Sequence, residues 1–256
     1  VTTALALPPE HGELLPYLAA LDADELDGVL AELSEEDAAA LYVAERYAWR
    51  NWARPEQLPP VGAWRFWVVI AGRGGGKTRT GAEWVNDEAE QYPGLRIGLI
   101  GATKADVRDV MIEDQESGII ACARPDFRPR YEPSKRRVTW PNGTVAITYS
   151  ADEPEQTRGA NLHRVWADEV GKWRDPRKSR ITAWENIVLA CRLGYNPQLL
   201  VTTTPRRVGR GAELVKDLTL GKKRPNGKRA GRAGAGRPGR VAAEREHGRL
   251  AVEHRP

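Results

Sequence analysis

AGRGGGKT, residues 71–78, sits between the apolar run WRFWVVI at 64–70 and a helical run that extends from Arg79 to about Gln91. A strand that breaks into glycines and resumes as a helix presents successive backbone amides and a helix N-terminus to one point in space. Such a point binds a polyphosphate. The pattern is GxxxxGK followed by Ser or Thr, with Ala71 in the place of the first glycine. An alanine there is tolerated if its φ stays negative. Gly72, Arg73, Gly74, Gly75 and Gly76 would wrap the phosphates, Lys77 would reach the β and γ oxygens, and Thr78 would hold Mg²⁺. The plain alternative is a glycine-rich turn with a fortuitous GKT, and the flanking strand and helix count against it.

Working outward, LRIGLI at 95–100 predicts a second buried strand, followed by a helix from about Lys104 to Ala121. Residues 137–149 predict a hairpin, since RVTW and TVAITY flank an Asn-Gly turn. Further strands are expected at 163–167 and 198–203, with a helix around 178–193 between them. Strands alternating with helices predict an α/β fold with a mostly parallel sheet covered on both faces. On the N-terminal side, Leu14, Tyr17, Leu18 and Leu21 share one helical face and Leu26, Val29, Leu30 and Leu33 another. Ser34 and Asp37 resemble a capping box for a third helix running towards Trp52. The breaker cluster RPEQLPP at 54–60 marks a boundary, so the domains are read as 1–53, 54–220 and 221–256. Beyond Gly221 the apolar periodicity stops and Gly, Ala, Arg and Pro dominate. That segment is expected to be disordered, or to be translated from a shifted reading frame, with a DNA-binding basic tail as the alternative.

The formal net charge of +4 hides an asymmetry: residues 1–45 carry eleven acidic side chains and no lysine or arginine, whereas 221–256 carry eleven basic and three acidic ones. A basic balance suits a nucleic-acid partner, although most of the excess lies in the tail. No apolar stretch is long enough to span a bilayer and no secretory leader is visible, which predicts a cytoplasmic protein without a membrane role. Cys122 and Cys191 stand far apart, with no CxxC or HExxH spacing, and are read as reduced and structural. Trp64, Trp67, Trp84 and Trp166 flank the catalytic elements and are read as packing rather than base-stacking groups.

A nucleotide hydrolase built on such a loop needs an acidic strand end, where an Asp serves the Mg²⁺ and a neighbouring Glu polarises water. LHRVWADEV at 162–170 supplies Asp168 and Glu169. Taken with AGRGGGKTRTGAEWV, EQTRG at 155–159, WADEVGKW at 166–173 and TTTPR at 202–206, the chain resembles the ATPase of terminase large subunits from tailed phages and gene transfer agents. The match in order and spacing runs over about 54–220. The resemblance implies a P-loop NTPase of the additional-strand, catalytic-glutamate class that hydrolyses ATP with Mg²⁺. Its work in the family is moving double-stranded DNA into a procapsid as a homo-oligomeric ring on a portal protein, with a small terminase subunit selecting the DNA. It further implies coupling by Thr202, Thr203 and Thr204, an arginine finger at Arg158 with Arg73 competing for that role, and adenine reading by Gln57. Relatives continue into a metal-binding nuclease that this sequence lacks, so DNA cleavage is not expected. Two rivals are a helicase-like nucleic-acid-dependent ATPase and a nonfunctional prophage remnant.

Overall fold

The computed structural model describes residues 20–32, 34–174, 182–205, 215 and 249–252. The chain divides into two compact units, Val1–Pro55 and Glu56–Pro256. In the first, helices α1 (Ala23–Glu32) and α2 (Glu35–Tyr47) are followed by a single turn at Trp49–Trp52. Asp22 and Glu25 form a reciprocal cap at the start of α1: each carboxylate accepts from the other's backbone N–H, at 2.9 and 3.1 Å. The helix expected as one piece from 34 to 52 breaks at Ala48. There the Trp52 indole donates to the Glu45 carbonyl at 2.6 Å and Asn51 donates to the Glu45 carboxylate at 3.1 Å, in place of a continued ladder. The helix expected around 14–21 lies outside the described residues, except for its last two positions.

The second unit is a sheet of eight strands with helices packed on it. In chain order the main elements are β1 (Phe66–Ile70), α3 (Lys77–Gln91), β2 (Arg96–Gly101), β3 (Arg130–Glu132), β4 (Arg137–Thr139), β5 (Val145–Ser150), β6 (Arg164–Ala167), α4 (Ala183–Ala190), β7 (Gln198–Thr203) and β8 (Arg249–Val252). Across the sheet the order is β3-β4-β5-β2-β6-β7-β1-β8. The five strands from β5 to β1 run parallel, while β3, β4 and β8 pair antiparallel. The strand β7 is inserted between β1, which feeds the glycine loop, and β6, which carries the acidic pair. This is the additional-strand, catalytic-glutamate arrangement of a P-loop NTPase.

Central strands buried on both faces read as continuous apolar runs, and β6 and β7 are buried throughout. Trp67, Leu99, Val165, Trp166, Leu199, Leu200 and Val201 are wholly enclosed. The tryptophans do pack: Trp64 lies 6.0 Å from Trp67, edge to face, and 6.0 Å from Trp84. Trp166 sits where α3 crosses the sheet. Any side chain on Gly81 would strike its ring, 2.0 Å from an added Cβ, so glycine at this point lets α3 seat on β6. Cys122 and Cys191 are buried and unpaired, and burial pushes their thiols up to about 12 and about 11.

Two elements depart from the sequence expectation. The helix expected over 104–121 is a short turn at Lys104–Asp106, a wide π-type turn at Val107–Ile112 and a separate turn at Ile119–Cys122. Asp114 causes the break: its carboxylate accepts from the backbone of Glu116 and Ser117 and from the Ser117 hydroxyl, offering the chain a local alternative to the helix. The hairpin at 137–149 is present, and it gains an unforeseen third strand, β3, at the sheet edge. The helix start at 178–181 and the helical stretch towards Leu220, apart from Val215, lie outside the described residues. So does the tail, except that 249–252 form the edge strand β8 beside β1.

Candidate active site

α3 opens directly on the glycine loop. Gly76, at φ +73°, precedes its first residue, and no side chain caps the helix, so its N-terminal end opens on the loop. Gly74 also lies in the left-handed region, at φ +76°, whereas Ala71 does not, so alanine fits the first position of the motif. The Lys77 ammonium donates to the Ala71 and Gly72 carbonyls at 3.1 and 2.9 Å, and it stands 3.7 Å from a Glu169 carboxylate oxygen.

These groups wall a cavity of about 820 Å³. Arg73, Gly74, Gly75, Gly76, Lys77 and Thr78 form one side, and Asp168, Glu169 and Thr204 another. Arg79, Asp106, Glu116, Ser117 and Lys172 also line it and were not foreseen. They come from the start of α3, from the broken segment after β2 and from the turn after β6, and the sequence pattern does not reveal the paths of the last two. Thr202 and Thr203 stand behind this wall. Gln57 is buried and donates to Thr80 at 3.1 Å and to the Gly76 carbonyl at 3.4 Å, bracing the start of α3. Arg158 does not line the cavity; it is exposed, in an ion pair with Glu155 at 2.9 Å.

The three threonines at the end of β7 each hold a different part of the acidic segment. Thr202 receives the Trp166 indole N–H at 2.9 Å and donates to Asp168 at 2.6 Å. Thr203 accepts from the Gly171 backbone at 3.1 Å. Thr204 donates its hydroxyl to Glu169 at 2.6 Å and its backbone N–H to the second carboxylate oxygen at 3.3 Å. Burial pushes Asp168 up to about 6, against the Thr202 hydrogen bond, so a cation close by would restore its charge. Glu169 lies at φ +47°, in the left-handed region that costs a side-chain-bearing residue about 1–2 kcal/mol. The Thr78 hydroxyl and the Asp168 carboxylate on one cavity are hard oxygen donors that suit Mg²⁺ shared with phosphate. Among the described residues no cluster of three or more His, Cys, Asp or Glu could hold a metal by itself, and no helix is long and apolar enough to cross a membrane.

Comparison with known proteins adds the lineage. No curated protein sequence matches the chain. Among solved structures, the large terminase ATPase domain of Thermus phage P74-26 aligns at TM-score 0.46 and 18% identity, over 63% of this chain and 68% of that one. The large terminase of another thermophilic bacteriophage, in complex with ADP, aligns at 0.44 and 15%, over 64% of this chain and 38% of that one. The large terminase of bacteriophage HK97 aligns at 0.41 and 19%, over 72% of this chain and 33% of that one. The chain thus spans well under half of the latter two proteins. The model of the family "Terminase large subunit, T4likevirus-type, N-terminal" matches residues 68–225, more than half of the sequence, and the chain belongs to that family.

Proposed function

We propose that this domain hydrolyses ATP to ADP and phosphate and that, in its ring, hydrolysis drives double-stranded DNA into a procapsid. The observation that carries the reading is the cavity in which the glycine loop, Lys77 and Thr78 face Asp168, Glu169 and Thr204. The amides of Gly74–Gly76 and the open start of α3 bind the β and γ phosphates, and Lys77 leaves its loop carbonyls to neutralise them. Thr78 and Asp168 would hold Mg²⁺, whose charge would screen the phosphates. Glu169 accepts the proton of the attacking water. Arg73, on the cavity wall, and Arg158, from outside it, are two guanidiniums available to stabilise charge on the transferring group. Thr202, Thr203 and Thr204 connect the acidic segment to β7, so a change at the phosphate is transmitted to that strand. A small terminase subunit and a portal are the partners of this reading.

Separation of binding from turnover tests it. Glu169→Gln should bind ATP with Mg²⁺ in a calorimetric titration and release phosphate at least ~100-fold more slowly, as expected for losing a general base. Lys77→Ala should fail in both assays. Loss of binding in Glu169→Gln, or turnover in Lys77→Ala equal to the parent, would overturn the assignments.

A further inference from the structure

The sheet edge farthest from β1 is strongly basic on one face. Residues 124–137 contain six arginines and lysines and two acidic residues, a net +4 that equals the formal charge of the whole chain. In the β3–β4 ladder Arg130 faces Thr139, Tyr131 faces Val138 and Glu132 faces Arg137. Strand alternation sends Tyr131 and Val138 to the core and leaves Arg130 and Arg137 on the opposite face, diagonal neighbours roughly 7–8 Å apart. The register continues that face through Val145 to Arg96 on β2. Arg96, Arg128, Arg130, Lys135, Arg136 and Arg137 are all exposed.

The two acids are already engaged. Arg124 pairs with Asp126 at 2.9 Å and Lys135 with Glu132 at 2.7 Å, and Arg130 and Arg137 also act through space to lower the Glu132 carboxyl, so one acid is shared among three cations. The side chains of Arg128, Arg130 and Arg137 hydrogen-bond to no described residue. Charges on an edge strand also deter strand pairing. Lysine or glutamate would serve that end equally well, however, and it gives no reason for guanidiniums reaching from β3 across to β2. Planar guanidinium forks match phosphate oxygens. A protein partner would want an apolar anchor. Among the described residues, no large apolar side chain within 124–137 is exposed; the exposed one nearest Arg96 in the sequence is the single Tyr92.

We propose that this edge grips the phosphate backbone of duplex DNA. The inference rests on the translocation reading above and assigns the contact surface within it. The edge is also connected to the candidate finger. Arg136, held at φ +52°, donates to Gln156 at 2.8 Å, and Gln156 lies in the turn Pro154–Thr157 that leads into Arg158. DNA on the edge is therefore one side chain away from the turn that carries Arg158.

The test uses the full chain and a labelled random-sequence duplex, titrated over a range of salt concentrations. Removing one phosphate contact lowers the slope of log affinity against log salt by about 0.9. Arg130→Gln with Arg137→Gln should therefore lower it by about 1.8, with ATP affinity unchanged. Arg174→Gln with Arg192→Gln removes the same charge outside the β3–β4 ladder of the same unit and should leave the slope in place. Arg130→Lys with Arg137→Lys should keep the slope, which separates the effect of charge from that of folding. Equal slopes for the two glutamine pairs would overturn the proposal. So would unchanged DNA binding with an altered sedimentation coefficient in the Arg130/Arg137 pair, which would give the face to an acidic surface of a second copy. ATP hydrolysis by a parent chain that binds no duplex would remove the translocation reading and this proposal together. A reduced slope confined to the Arg130/Arg137 pair, in a chain that hydrolyses no ATP, would uphold the surface and sink the hydrolase reading alone.

Discussion

Gly75 has no positive φ and still admits no side chain. A Cβ there would meet the Ala71 methyl at 2.7 Å and the Gly72 carbonyl at 3.1 Å. The alanine that departs from the usual loop pattern is thus one of the residues that make Gly75 obligatory. Gly75→Ala should weaken ATP binding by about 1–3 kcal/mol through overpacking of the loop. Adding Ala71→Gly should restore part of that affinity, because the methyl clash goes while the carbonyl contact stays. Calorimetric ATP titrations of the four combinations check the coupling, and additive effects would contradict it. At this scale the sequence is most readable where chemistry demands a residue type. Arg73, Lys77, Thr78, Asp168 and Glu169 all reach one cavity. Gln57 is less readable, since a glutamine suits equally a base contact or a buried brace, and here its amide nitrogen donates to Gly76 and Thr80.

Among the elements, α3 does two jobs: it opens on the glycine loop and buries its flank against the sheet. Glu83 lies on the buried flank, bonded to Arg79 at 2.6 Å, and burial outweighs that pairing and pushes it up to about 7. With a folded value above the unfolded one, the folded state binds the proton more tightly. Stability from this group is present below about 4.5 and is lost as pH rises towards about 7. Glu83→Gln should remove that slope. Relative to the parent, the variant should gain on the order of 1–3 kcal/mol between about pH 4.5 and 8. Urea unfolding of both proteins across that range measures it, and parallel curves would show that Glu83 does not titrate there. Apolar runs bounded by turn residues make the strands of the parallel sheet legible to within a residue or two. The helix after β2 is misread from sequence because apolar spacing continues through Ile119, while a single side chain, Asp114, captures the backbone midway. β3 escapes notice because three residues with two charges carry no apolar period.

For the whole molecule, every residue that lines the cavity lies between Arg73 and Pro205, inside the second compact unit. Arg158 belongs to that unit yet lies outside the cavity, exposed beside Glu155. We propose that an arginine so placed serves a neighbouring copy's phosphate rather than its own. Mixing inactive Arg158→Ala with inactive Glu169→Gln chains should then restore measurable turnover, since each copy supplies what the other lacks. Phosphate release from the mixture is the readout. No recovery in a demonstrated mixed ring would return the finger role to Arg73 or to Arg158 acting within its own chain.

The backbone at Glu169 bears on how such a domain would age. At φ +47° glycine is the comfortable residue, and a glutamate is held there with Thr204 and Lys77 around its carboxylate. Drift without demand for turnover therefore runs downhill at this codon: Glu169→Gly should melt at a higher temperature than the parent while hydrolysing nothing. In any collection of such chains, glycine at this position would mark those that have retired from work, and glutamate those in which selection still outvotes stability.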